Sequence, residues 1–128
     1  MIKCIQGLYF YYSTGKTAPI PYFSTISALF VMVVIHCIEI GVALKRFFNI
    51  NINFFPMPDD VHRSIKYLIM ALYFVPIYFL LTKLFPESKI ANSGLEISEL
   101  KKYRNLFFIY VGLNILLVFF LVSDKLVW

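Results

Sequence analysis

The chain has 128 residues, of which 60% are apolar, 19% aromatic and only 15% charged, with a formal net charge of +5. Water-soluble domains are nearer half apolar and a quarter charged, so this composition excludes an ordinary soluble protein. The basic residues lie at the ends of apolar runs instead of forming a basic stripe with interleaved aromatic residues, so the positive charge does not indicate nucleic-acid binding.

The first segment, Met1 to Tyr12, mixes large apolar and aromatic residues with Lys3 and Gln6. It is too short to cross a hydrocarbon core of about 30 Å. Tyrosine favours the boundary between lipid and water, so we expect this segment to lie at the membrane interface. Ser13 to Lys16 are predicted to form a break before the first long apolar run.

Three long apolar runs, Ile20–Ile38, Tyr67–Thr82 and Leu106–Ser123, contain no formally charged residue. Inside lipid each backbone polar group needs an internal partner, so each run is predicted to be a helix. The predicted spans are residues 21–44, 65–84 and 105–122. We therefore expect one transmembrane domain over residues 1–128: an all-α integral membrane bundle of three transmembrane helices with an interfacial N-terminal segment.

The connection between spans one and two, Phe47 to Asp60, alternates asparagine with isoleucine, which predicts extended chain. Phe54, Phe55 and Met57 are expected to rest on the membrane surface. Asp59 or Asp60 is predicted to cap the second helix, and His62 to be a solvated loop residue.

Pro76 lies near the middle of span two and predicts a kink there. Glu87 to Gly94 is predicted to form a polar hairpin after the span. Leu95 to Arg104 has an amphipathic pattern, and we expect it to continue without a break into span three.

The distribution of lysine and arginine bears on orientation. The N-terminal segment and the second connection together hold seven, against five for the first connection and the C-terminal tail. The positive-inside rule then favours a cytoplasmic N-terminus in a multi-pass membrane protein, whereas the flanks of span one by themselves favour the reverse orientation.

Span one carries ionisable residues at membrane depth. His36 and Glu39 are three residues apart and share a helix face with Thr25, Met32 and Ala43. Because such groups are costly in lipid, they are candidates for function. One interpretation is a proton- or cation-sensing pair that faces a wet path between helices. The other is an internal hydrogen bond between helices, with Glu39 reaching water near the membrane edge.

Polar residues also occur in the other two spans. Asn114 lies at the centre of span three, and Tyr110 lies one turn earlier on the same face. An asparagine in lipid usually hydrogen-bonds across a helix interface, which is the role we expect for Asn114. Tyr78 belongs to a tyrosine-containing stripe of span two, for which packing is the expected role.

No sequence motif for catalysis or for cofactor binding is apparent. His36, Cys37 and Glu39 are a poor ligand set for zinc, because ligands this close on one helix supply at most two or three groups. Gly-rich phosphate loops, nucleophile elbows and His-Glu-x-x-His patterns are missing. The sequence therefore predicts a protein that is not an enzyme and that holds no metal or cofactor.

Three features resemble those of known membrane proteins. They are the aromatic residues Tyr9 to Tyr12, the Ile20-Pro21-Tyr22-Phe23-Ser24 entry to span one and the basic approach to span three. In these features the chain resembles a loose group of small three-span bacterial membrane proteins rich in Ile, Phe, Lys, Asn and Tyr. The resemblance implies a three-span membrane fold in a bacterial inner membrane and carries no function over.

A three-helix unit of this size has little room for an internal path, so a pore would form between copies or against a partner. The leading hypothesis is a homo-oligomeric channel or membrane-permeabilising effector. Its pore-lining or helix-interface candidates are His36, Glu39, Asn114, Tyr110 and Tyr78. The alternative is an accessory or anchoring subunit of a larger membrane complex, in which a membrane-protein partner would meet the same residues. Membrane lipids are expected partners in both cases.

Overall fold

A computed structural model describes residues 1–15 and 19–123 of the chain. Every regular element in these two ranges is an α-helix. In chain order the helices are α1 (Ile2–Thr14), α2 (Pro21–Phe48), α3 (Arg63–Leu84), α4 (Glu87–Ala91) and α5 (Ile97–Ser123). Residues 16–18 and 124–128 lie outside the described ranges.

Helix α2 forms from the first apolar run and begins at a proline. Pro21 stands at the first helical turn, where its missing N–H removes no helical bond. The helix ends at Asn49, which adopts the left-handed conformation at φ 55° and donates its N–H to the Leu44 carbonyl. Lys45 and Arg46 lie in its last turn, where positive charge is favoured by the helix dipole. The helix therefore continues one turn beyond the predicted end of span one at residue 44.

Helix α3 is capped by a residue that the sequence had not indicated. The Ser64 N–H donates to Nδ1 of His62 at 3.4 Å, and the helix begins at Arg63. The prediction of an aspartate cap is therefore wrong, whereas His62 is exposed, as predicted for a solvated residue. An imidazole nitrogen supplies the acceptor that the first turn needs. The helix continues past Pro76 to Leu84.

The segment after span two is partly helical instead of a plain polar hairpin. Residues Glu87–Ala91 form α4, and Ile90 in this helix is almost completely buried. Helix α5 then extends from Ile97 to Ser123 without interruption, which confirms the predicted continuation of the amphipathic segment into span three.

Helix α1 packs closely across the start of α5. At Gly7 an added Cβ would lie 2.7 Å from both the Arg104 nitrogen and the Leu100 oxygen. These are backbone atoms and cannot move aside easily, so this approach requires glycine. Helix α1 also contacts α2 and α4, and α2 contacts both α3 and α5.

The first connection, which is predicted to rest on the membrane surface, folds back against the helices. The Phe55 ring lies 5.5 Å from that of Phe74 and 6.0 Å from that of Tyr73 on α3. The Tyr73 hydroxyl donates to the Pro56 carbonyl at 3.4 Å. Phe54 reaches the backbone of α2 at Gly41. The aromatic residues of this segment therefore pack on α2 and α3.

The buried apolar residues gather around α1. One cluster contains Ile5, Ile26, Leu81 and Ile90, and a second contains Leu8, Met32 and Phe107. By contrast, most residues of α2, α3 and α5 are not buried, although these helices are long and apolar enough to cross a membrane. So much exposed apolar surface requires a lipid environment. The chain is therefore a membrane protein, a helical bundle with three candidate spans, as the composition predicted.

Candidate functional site

Three polar side chains of the spans form a continuous hydrogen-bonded chain, here called the polar chain: Glu39, His36 and Tyr110. Nδ1 of His36 lies 2.7 Å from Oε2 of Glu39. On the other side of the ring, Nε2 lies 2.6 Å from the Tyr110 hydroxyl oxygen. The polar chain therefore joins α2 to α5 through one imidazole.

Helix periodicity explains how the polar chain is assembled. His36 and Glu39 are three residues apart on α2, so their side chains lie one above the other on the same face. That face is the packed one, because Thr25, Met32 and Glu39 are all buried. The predicted stripe of α2 is therefore the side that meets the rest of the bundle.

Asn114 stabilises the backbone beside the polar chain. Its amide donates to the Tyr110 carbonyl at 2.7 Å, and the residue is only 9% exposed. Both residues belong to α5. This bond differs from the predicted bond between helices, because an asparagine side chain can reach the carbonyl one turn earlier on its own helix.

Tyr78 lies outside the polar chain. It is half-buried on α3, packs against the cluster around Ile5 and Ile26, and its ring lies 6.0 Å from that of Phe23 on α2. It therefore contributes to packing between α2 and α3. The five candidate residues thus divide into the polar chain, its neighbour Asn114 and the separate Tyr78.

The polar chain has two proton arrangements with the same heavy-atom positions. When His36 Nδ1–H donates to the Glu39 carboxylate, Nε2 of the neutral ring accepts from the Tyr110 hydroxyl. When a protonated Glu39 donates to Nδ1, Nε2–H donates to the Tyr110 oxygen. The second arrangement holds one proton more than the first. A proton taken up at the Tyr110 hydroxyl can therefore convert the first into the second as both hydrogen bonds reverse, and a proton then leaves from Glu39.

The buried end of the polar chain has an unused acceptor. Glu39 is 8% exposed, and its Oε1 has no hydrogen-bond partner among the residues that the structure describes. A buried carboxylate oxygen without a partner is costly, at about 1–3 kcal/mol or more. A proton or a water molecule at Oε1 would relieve this cost.

The opposite end of the polar chain is open. The side chain of His36 is 37% exposed and Tyr110 is 47% exposed, in contrast to the buried Glu39. Tyr110 lies six residues from Arg104, about 9 Å along the helix axis. Polar groups this far inside an apolar span usually face a partner or water instead of acyl chains.

A cavity of about 410 Å³ borders the open end of the polar chain. Helices α1, α2, α3 and α5 all line it, for example through Ile5, Val33, Leu81 and Leu106. Its side chains are aliphatic or aromatic apart from His36, Tyr110 and the thioether and thiol groups of Met1, Met32 and Cys4. We call it the apolar cavity.

A second cavity, of about 270 Å³, lies where the first connection folds over α2. Cys37, Gly41 and Lys45 line it from the helix, and Asn51 and Phe55 line it from the connection. Within residues 1–15 and 19–123, no three His, Cys, Asp or Glu side chains come together in a way that could hold a metal ion.

Sequence reasoning found the members of the polar chain but not the bond between His36 and Tyr110. The helical spacing identifies which residues share a face, whereas it gives no information on which faces of two helices meet. The close approach at Gly7 was also missed, although a lone glycine in a short apolar helix was the signal that could have indicated it.

Comparisons with known protein families, with curated proteins and with solved structures find no match to this chain. The functional interpretation therefore depends on the geometry of the chain itself.

Proposed function

We propose that this protein is a small homo-oligomeric membrane channel that passes protons, with Glu39, His36 and Tyr110 as the relay. The observation that supports the proposal is the hydrogen-bonded polar chain, buried at Glu39 and open at Tyr110. Carboxylate and histidine groups within spans are the usual elements of proton relays. Each of the three groups exchanges donor and acceptor roles when a proton passes.

The need for several copies follows from the surroundings of the polar chain. The apolar cavity next to it disfavours a water column, because water requires polar partners that this wall does not provide. A wet path would therefore run between copies, where the half-exposed His36 and Tyr110 meet the neighbouring chain. The unused Oε1 of Glu39 is buried within its own chain, so its partner in the relay is a proton or a water molecule.

Proton flux into liposomes tests the proposal. Purified protein is reconstituted in vesicles that contain a pH-sensitive dye, and the decay of an imposed pH gradient is recorded. We expect Glu39→Gln and Tyr110→Phe to slow the decay roughly ten- to hundredfold. Glu39→Gln removes the carboxyl group that takes up and releases the proton, and Tyr110→Phe removes the hydroxyl that exchanges a proton with His36. Tyr67→Phe is the matched control, since Tyr67 is an exposed tyrosine of α3.

The outcomes separate the channel from the accessory subunit. The relay is supported if Glu39→Gln and Tyr110→Phe slow the flux as expected and Tyr67→Phe retains it. Absence of flux, or equal flux in all four proteins, removes the proposal. Mass measurement of the complex in mild detergent adds a second criterion: a closed homo-oligomer agrees with the channel, and a stoichiometric foreign chain agrees with an accessory subunit.

A further inference from the structure

We infer that the apolar cavity is a binding site for a lipophilic molecule with a hydrocarbon body and one carbonyl oxygen, which accepts a hydrogen bond from the His36–Tyr110 pair. The inference concerns the cavity within a single chain and does not require that copies assemble. It therefore goes beyond the proposed function and can fail or succeed independently of proton flux.

The size and wall of the cavity fit such a molecule. A volume of about 410 Å³ lies within the range of about 300–1,000 Å³ that is typical of small-molecule sites. Such sites are mostly apolar with a few polar groups that fix the ligand's orientation. Here the apolar wall is broken at one place, where Nε2 of His36 and the hydroxyl of Tyr110 meet at 2.6 Å.

The depth of this polar pair limits the class of ligand. Tyr110 is about 9 Å along α5 from Arg104, and His36 is nine residues, about 14 Å, from Lys45 on α2. The pair thus lies well inside a hydrocarbon core of about 30 Å. A phosphate headgroup at this depth would be costly, whereas a neutral carbonyl is tolerated once it is hydrogen-bonded.

The hydrogen-bonding capacity of the pair is not exhausted by its own bond. A tyrosine hydroxyl has one donor and two acceptor sites, and an imidazolium donates from both nitrogens. When His36 is protonated, Nε2–H donates to the Tyr110 oxygen, and the Tyr110 O–H is then available to a ligand carbonyl. The half-exposed position of Tyr110 at the cavity wall gives the ligand access to it.

Helix α1 closes part of the cavity and provides a reporter. Cys4 lies in the wall of the apolar cavity, whereas the other cysteine, Cys37, lies in the wall of the second cavity. Both thiols are free and half-buried. A ligand in the apolar cavity should shield Cys4 from alkylation and leave Cys37 unaffected.

Alkylation of Cys4 by N-ethylmaleimide, measured in Cys37→Ser protein in detergent micelles, tests the site. The probes are methyl laurate, decylubiquinone and dodecane, which represent an acyl carbonyl, a ring carbonyl and a chain without oxygen. At ten times its Kd a carbonyl probe should slow alkylation about tenfold, because only the unoccupied fraction reacts. The carbonyl probe that protects at the lower concentration identifies the source of the ligand. Cys4→Ser protein, which retains Cys37, should show no slowing with any probe.

Two substitutions test the two halves of the inference. Tyr110→Phe should weaken the affinity for the carbonyl probe, measured by protection of Cys4, roughly fivefold, because a bond of about 1 kcal/mol is lost. Protection by dodecane should be unchanged. Val33→Trp should fill the cavity and abolish protection. Val31→Trp, on the exposed side of the same helix, is its matched control.

The inference is overturned if no probe protects Cys4 saturably or if Cys37 is protected equally. The assignment of a carbonyl ligand is overturned if dodecane and the carbonyl probes protect Cys4 equally. It is also overturned if the carbonyl probe protects Cys4 equally well in Tyr110→Phe and in the unsubstituted protein. Because Tyr110→Phe removes a single oxygen, this part of the test does not depend on how well Val33→Trp folds.

Discussion

The two ends of the bundle are built differently. Around α1, the buried residues are mostly apolar and include Ile5, Leu8 and Ile26, with Gln6 and Thr25 as polar exceptions. Toward the other end of the three spans, the buried residues in the described ranges are Glu39 and Asn114, both polar. Beyond these two, α2 and α5 contain no buried residue up to residue 123.

Under the proposed function, this difference separates the residues that hold the fold from those that carry function. Apolar side chains that are packed away from lipid fix the positions of α1, α2 and the start of α5 by close van der Waals contact. At the other end, directional hydrogen bonds and the folded-back connection hold the helices. Under the proposed function, groups that exchange protons or contact other chains need a region where close packing of apolar side chains does not exclude water and partners.

Truncation at the α1 end should have the largest effect on stability. Ile26→Ala removes a side chain that is fully buried and should lower the free energy of unfolding by about 2–5 kcal/mol. Leu116→Ala, on an exposed part of α5, should change it by less than about 0.5 kcal/mol. Denaturant unfolding in mixed micelles measures both. Equal losses would contradict the proposed contrast between the two regions.

The close approach of α1 to α5 should tolerate no added methyl group. Gly7→Ala places a Cβ 2.7 Å from two backbone atoms of α5 and should destabilise the fold by about 1–3 kcal/mol. Gly112→Ala is the matched control, because nothing lies within 4 Å of the Cβ that it adds. It should stabilise the fold by up to about 1 kcal/mol. Thermal unfolding of both variants checks the signs, and a neutral Gly7→Ala would mean that α1 is not held at this position.

The polar chain should contribute less to stability than to proton flux. A double-mutant cycle with His36→Ala and Tyr110→Phe should give a coupling energy of about 0.6–2 kcal/mol. The same cycle with Tyr67→Phe in place of Tyr110→Phe should give a coupling energy near zero, because Tyr67 lies exposed on α3. A coupling energy that is the same in both cycles would show that the bond between α2 and α5 is not formed.

A small pH-dependent effect is expected where α1 meets α4. The Tyr9 hydroxyl donates to Oε1 of Glu87 at 3.2 Å. Partial burial, followed by this hydrogen bond and the charge of Glu87, raises the pKa of Tyr9 above its ordinary value of 10.0. Because the folded protein holds the neutral phenol more strongly, this contribution to stability is present below pH 10 and is lost as the pH rises through the folded pKa.

Tyr9→Phe should therefore cost less than about 1 kcal/mol at neutral pH. Its difference from the unsubstituted protein should shrink as the pH rises above the ordinary tyrosine pKa of 10.0. Unfolding measured in both proteins over that pH range tests the sign. A difference that grows with pH would contradict the raised pKa.

The polar candidates illustrate how far sequence reasoning extended into the site. His36 and Glu39 could be placed on one face from their spacing, and Tyr110 could be placed near Asn114, because these relations are within a helix. The bond between His36 and Tyr110 and the intrahelical bond of Asn114 could not be predicted. They depend on the distance and rotation between helices, which no local pattern encodes.

The sequence by itself determined the membrane class, the all-helical fold and the approximate bounds of α2, α3 and α5. It could do so because backbone groups in lipid must be satisfied within each segment, so a long uncharged run forms a helix whatever its neighbours are. Tertiary structure decided the position of α1, the apolar cavity and the joining of Glu39, His36 and Tyr110. Lipid is as apolar as the helices, so the hydrophobic pattern does not select which faces pack, and shape and hydrogen bonding between specific residues make that choice.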